Sequence, residues 1–106
     1  MITDQQAEDA HHFIQDSAEI MGHADAETGY LTSYQKVIKS QLYLASTGKT
    51  VADKEAQAYI SDVFRQNIYA IRIAREAEVT LRFKIDAAKI LIELYRTQQA
   101  SSRKGY

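Results

Sequence analysis

The chain has no cysteine, no proline and no tryptophan, and only four glycines. Without cysteine there is no disulfide, no thiolate nucleophile and no cysteine-bound zinc or iron–sulfur centre. Without proline nothing covalent interrupts a helix, and with so few glycines the turns that would join short strands are scarce. Long apolar runs are missing as well, since none approaches the roughly 18 residues that a bilayer crossing requires. The opening stretch MITDQQAEDAHHF is acidic where a signal peptide is basic. These absences lead to the expectation of a soluble, cytoplasmic chain.

Catalytic signatures are absent too. There is no HExxH pair and no glycine-rich phosphate loop; Gly48-Lys49-Thr50 copies only the tail of such a loop and lacks its upstream glycine. His11 and His12 are adjacent, so on a helix they point about 100° apart. With His23 they make a poor metal chelate. The expectation is a binding protein, not an enzyme, with no metal and no cofactor.

What is abundant is the helix-forming set of Ala, Gln, Glu, Lys, Arg, Leu and Ile, which predicts an all-α fold. A chain of 106 residues has room for a single helical domain with a modest core. Its architecture is expected to be a helical hairpin or small bundle with a long C-terminal helix. Thr3 or Asp4 caps a first helix running to about Met21, with Gly22 as its stop. Residues 1–24 thus form an acidic N-terminal helix or arm, with Ala7, Ala10, Phe13 or Ile14, Ala18 and Met21 as its apolar stripe. Residues 26–60 read as helix-turn-helix. Its first helix carries Tyr30, Tyr34, Val37, Ile38 and Leu42 on one side and Lys36, Lys39 and Tyr43 on the other. Ser46–Lys49 is the turn, and Thr50 with Asp53 opens a short second helix in the manner of a capping box. Ser61-Asp62 caps a long helix over residues 62–101, nearly 60 Å at 1.5 Å per residue.

On that long helix Ile71, Ala74, Leu81, Ile85, Ala88, Ile92 and Tyr95 recur at spacings near three and four, as in a coiled coil. Ile73, Phe83, Ala87, Ile90, Leu91 and Leu94 widen the apolar arc beyond what one short helix covers. The expected homo-oligomer interface is therefore Ile71, Leu81, Phe83, Ile85, Ile90, Leu91 and Leu94.

Charge is divided along the chain. Met1–Gly29 holds seven acids and no Lys or Arg, −7 in all, against +6 for the remainder. This fits an acidic arm beside an anion-binding body, and equally fits two parts that neutralise each other. Beside the apolar seam stand Arg75, Arg82, Lys89, Arg96 and Arg103, a cation every seventh residue. With Arg65, Arg72 and Lys104 they give residues 62–106 nine cations against five acids. A phosphate backbone is a natural ligand for such a track. Glu78, Asp86 and Glu93 lie three or four residues before Arg82, Lys89 and Arg96, however, which is also how a solvated, salt-bridged face is laid out. Seven tyrosines offer stacking platforms for unpaired bases, or core rings with a wet hydroxyl.

A set of residues also carries a resemblance: Lys39-Ser40-Gln41-Leu42, leading into Gly48-Lys49-Thr50-Val51-Ala52-Asp53-Lys54-Glu55-Ala56, then Tyr59, Leu81-Arg82, Ala87-Ala88 and Ile92-Glu93-Leu94-Tyr95-Arg96-Thr97. This pattern, which covers most of the chain after Tyr30, resembles small phage proteins encoded among DNA recombination and replication functions. Its order of parts is similar to the UvsY family of phage recombination mediators. The resemblance implies a protein that binds single-stranded DNA, assembles with copies of itself and helps load a recombinase onto strands coated by single-strand-binding protein. It implicates Lys36, Lys39 and Lys49 as strand contacts, with the long helix as oligomer interface, and has no counterpart for the first 29 residues. Together the two arguments nominate Lys36, Lys39, Lys49, Arg72, Arg75, Arg82, Lys89 and Arg96 for nucleic-acid binding. The rival expectation is a helical protein–protein module, a phage adaptor or an inhibitor of a host nuclease, whose acidic arm meets a partner.

Overall fold

A computed structural model describes residues 1–103. It is all-α: α1 spans Asp4–Ala45, α2 Val51–Ile60 and α3 Asp62–Arg103, with no strand among the described residues.

Where two helices meeting at Gly22 are expected, α1 is one helix of 42 residues. The reason lies in phase. Sheltered residues recur at alternating intervals of three and four from Ala7 and Ala10 through Ile14, Ser17, Met21, Ala24, Thr28, Leu31, Gln35 and Ile38 to Leu42, and neither Gly22 nor Gly29 shifts that register. Both glycines stand off the seam, with open space where a Cβ would be. Each lowers helix propensity by up to about 1 kcal/mol relative to alanine, too little to end a helix whose next turns have a seam to bury. Ala18, expected on the apolar stripe, is exposed, and Ser17 takes the sheltered place.

The helix ends follow their capping residues. At the start of α1 the Gln6 amide donates to Thr3 Oγ1 at 3.1 Å and the Thr3 amide donates to Gln6 Oε1 at 2.9 Å, a reciprocal capping box. Thr50 caps α2 by accepting from the Asp53 amide at 3.1 Å. Ser61 alone separates α2 from α3, in extended conformation.

The chain divides into two compact units: Met1–His23 with the part of α3 from Glu78 onward, and Ala24–Ala77. The division expected near residue 24 therefore falls between units, inside a continuous helix.

In the first unit α1 and α3 run antiparallel. Ile2 and Gln98 exchange two hydrogen bonds, of 3.0 and 2.7 Å, and the Tyr95 hydroxyl donates to the Asp4 carboxylate. The core is Ala10, Ala88 and Ile92 with Phe13, Ile14 and Leu91 against it. Small residues at Ala7, Ala10, Ser17 and Ala88 allow the helices to approach closely, and the same smallness limits how much apolar area is buried. In the second unit the buried apolar residues are Ile38 of α1, Ala58 of α2, and Phe64 and Ile71 of α3. Ser46 Oγ, on the turn, donates to Gln57 of α2 at 2.7 Å, and Asn67 of α3 donates to the Leu31 carbonyl at 3.3 Å.

Candidate nucleic-acid interface

From Thr28 to Ala52 the sequence holds three lysines and three tyrosines and not one acid. This stretch forms the last turns of α1 and the turn after it, so its cations lie on one rigid helix instead of a loose loop. Ile38 is buried and Leu42 half-buried on the inner side, which leaves Lys36, Ser40 and Leu44 outward.

Lys36, Lys39, Ser40, Tyr43 and Leu44 line an open pocket of about 480 Å³ on this helix. α2 contributes two cation–ring pairs around it. Lys39 Nζ lies 5.0 Å from the centre of the Tyr59 ring, and Lys54 Nζ lies 5.1 Å from that of Tyr43, both within the range of cation–π attraction. Tyr59 in turn meets Phe64 edge-on at 5.2 Å, which ties the pair to the buried part of α3. Hydrogen bonding to Tyr59, with the attraction of its phenolate and of Glu55, outweighs desolvation and raises the Lys39 pKa above its ordinary value. Lys39 is thus a cation at neutral pH. One helical turn away, the Tyr30 and Tyr34 rings stack at 5.8 Å with planes 11° apart while remaining 61% and 40% exposed. A stacked aromatic pair held open to solvent is a platform on which an unpaired base can continue the stack.

Of the nominated residues, Lys36 and Lys39 line this pocket, and Lys49 stands exposed on the turn that follows α1. Arg72 and Arg75 are exposed in the same unit. Arg82, Lys89 and Arg96 belong to the other unit. There Arg82 is bound at 2.7 Å to Glu78, whose side chain is only 9% exposed, and Arg96 at 3.0 Å to the exposed Glu93. A buried carboxylate needs its cation, so Arg82 is committed to the fold. Among the described residues Lys89 and Asp86, also spaced for an ion pair, do not form one. Lys104 lies outside the described residues.

The nominated interface residues divide similarly. Ile71 is buried and Leu81, Ile85 and Leu91 are half-buried within the chain, whereas Phe83, Ile90 and Leu94 are 69%, 60% and 56% exposed. Phe83, Ala87, Ile90 and Leu94 again alternate by three and four, on the side of α3 opposite Ile85, Ala88 and Ile92. The helix therefore carries two apolar seams, and the chain covers one.

Sequence reasoning missed Lys54 and Tyr59 as members of the site. Lys54 carried no signal of its own beyond its place in the stretch after the turn, because its approach to Tyr43 depends on how α2 folds back. The Tyr30–Tyr34 pair was legible as an i,i+4 spacing. No family model matches this chain, and neither the curated proteins nor the solved structures provide a significant match.

Proposed function

We propose that this chain is a self-associating helical protein that binds single-stranded nucleic acid through the Lys36–Tyr43 surface of α1, and that it serves as an accessory of the recombination-mediator kind. The observation that carries this reading is the acid-free stretch of α1, which sets Lys36, Lys39 and Tyr43 around one pocket with the Tyr30–Tyr34 stack beside it. Lysines supply phosphate attraction through counterion release, and open ring faces select unpaired bases over a duplex, whose bases are already stacked. No bond is made or broken. Self-association is supported by the open seam of Phe83, Ile90 and Leu94, too apolar to leave in water, and it multiplies weak strand contacts into strong ones.

A second reading is favoured by Glu8, Asp9, Asp16 and Glu19, all exposed on α1 with no Lys or Arg among the first 35 residues. On this reading the acidic face meets a basic protein partner and the chain is an adaptor or inhibitor.

Fluorescence anisotropy with a labelled single-stranded oligonucleotide, at low and moderate salt and beside a duplex of equal length, separates the two. The mediator reading expects salt-sensitive binding that favours the single strand. Absence of binding at low salt by folded, assembled protein overturns it and moves the adaptor reading to first place.

A further inference from the structure

We propose that the pocket on α1 holds one phosphorylated nucleotide, so that the protein recognises the phosphate-bearing end of a strand and not only its interior. This deepens the nucleic-acid reading above and rests on it for the strand, although not for the pocket itself.

The lining residues run from Lys36 to Leu44, about 12 Å of helix at 1.5 Å per residue. That is room for a single nucleotide. The volume of about 480 Å³ lies in the range of small-ligand sites. Its polar lining is two ammonium groups and two hydroxyls, and no carboxylate is among the lining residues. The apolar part is the Tyr43 ring and Leu44, which is 83% exposed and so offers an uncovered surface for the plane of a base. A phosphate monoester near neutral pH carries close to two charges and three terminal oxygens. An internal phosphodiester carries one charge and two such oxygens. Two ammonium groups flanked by Ser40 and Tyr43 match the monoester in charge and in donor number. Lys54 above the Tyr43 ring adds a third cation within reach of the same residues. A strand end and a free nucleoside monophosphate share this chemistry, and the test separates them.

The experiment compares one oligonucleotide in three forms, with a 5′-phosphate, with a 3′-phosphate and with neither, each labelled away from the phosphate, binding to the full chain at moderate salt. A phosphate at one end is expected to tighten binding about tenfold, the scale of one added charge-assisted contact. That gain is expected to vanish in Lys36→Gln and in Tyr43→Leu, and to persist in Lys84→Gln, which lies in the other unit. Lys36 is exposed, so its variant remains informative if Tyr43→Leu does not fold. Equal affinity of all three forms overturns the inference and leaves the nucleic-acid reading standing. If no oligonucleotide binds but a deoxynucleoside monophosphate shifts the NMR signals of Lys36 and Tyr43, the pocket assignment stands for the free nucleotide and the strand-binding reading falls. If neither binds, both fall.

Discussion

The two units are built on the same spacing of sheltered residues and yet are held together differently. In the first, small side chains at Ala7, Ala10, Ser17 and Ala88 bring α1 and α3 close, and the two helices are clasped by the Ile2–Gln98 and Asp4–Tyr95 hydrogen bonds. Its cations are partly committed to acids of the same helix. In the second, a turn and a third helix intervene, the buried side chains are larger, and lysines rest on tyrosine rings in place of carboxylates. A cation paired with a ring keeps its full charge and gives up little when a phosphate approaches. One paired with a carboxylate must first break an ion pair. The second unit is therefore where binding is expected, and the first is chiefly scaffold.

The sharpest test of that division is a core truncation in the scaffold. Ile92→Ala removes one of three buried residues of the first unit's cluster and should lower stability by about 2–4 kcal/mol, read from chemical denaturation. Strand affinity of the fraction that remains folded should be unchanged, and a parallel loss of affinity would erase the distinction between the units. Next in size, Lys36→Glu combined with Lys39→Glu should weaken strand binding by about ten- to a hundredfold and flatten its salt dependence, by about one unit of slope for each phosphate no longer neutralised. Arg82→Glu should leave the slope nearly unchanged while destabilising the protein, because it sets a second carboxylate beside Glu78. The reverse ranking would return the site to the α3 track.

Glycines give a smaller contrast. A Cβ on Gly48 would lie 2.8 Å from Asp53 Cβ and 3.0 Å from the Lys54 amide nitrogen, atoms of a capped helix start that cannot give way. Gly48→Ala should cost about 1–3 kcal/mol. Gly22 has open space around it, so Gly22→Ala should stabilise α1 by about 0.5–1 kcal/mol, with both shifts visible in thermal melts. Smallest is the alkaline response of the clasp. Hydrogen bonding to Asp4 raises the Tyr95 pKa above that of a free tyrosine. A raised folded-state pKa contributes stability that is fully present below the unfolded value, near 10, and is lost as pH rises through the folded value. Melting temperature should therefore drop more steeply above about pH 10 in the parent than in Tyr95→Phe.

Much of the fold was legible in the residues. The all-α class, the Thr50 cap, the start of α3 at Asp62 and the seam from Ile71 to Tyr95 all follow from local preference and spacing, which act within a few residues. Gly22 misled because a glycine permits a helix to stop without compelling it. Only the uninterrupted three–four register, traced across the whole of α1, reveals that the helix continues. Lys36 and Lys39 were legible as candidates through their place on the helix before the turn. The pairing of Lys39 with Tyr59 and that of Lys54 with Tyr43 were not, since those pairs join residues separated by the turn.

By itself the sequence determined that this chain is helical, that its acids precede its cations, and that its apolar residues outnumber the places one short partner helix can cover. Those properties are sums over local preference, charge and area. Which apolar seam of α3 is covered, which cation is spent on a carboxylate and which is left against a ring were decided only by tertiary structure. Each depends on a neighbour brought from elsewhere in the chain, and burial and ion pairing have no energy until that neighbour arrives.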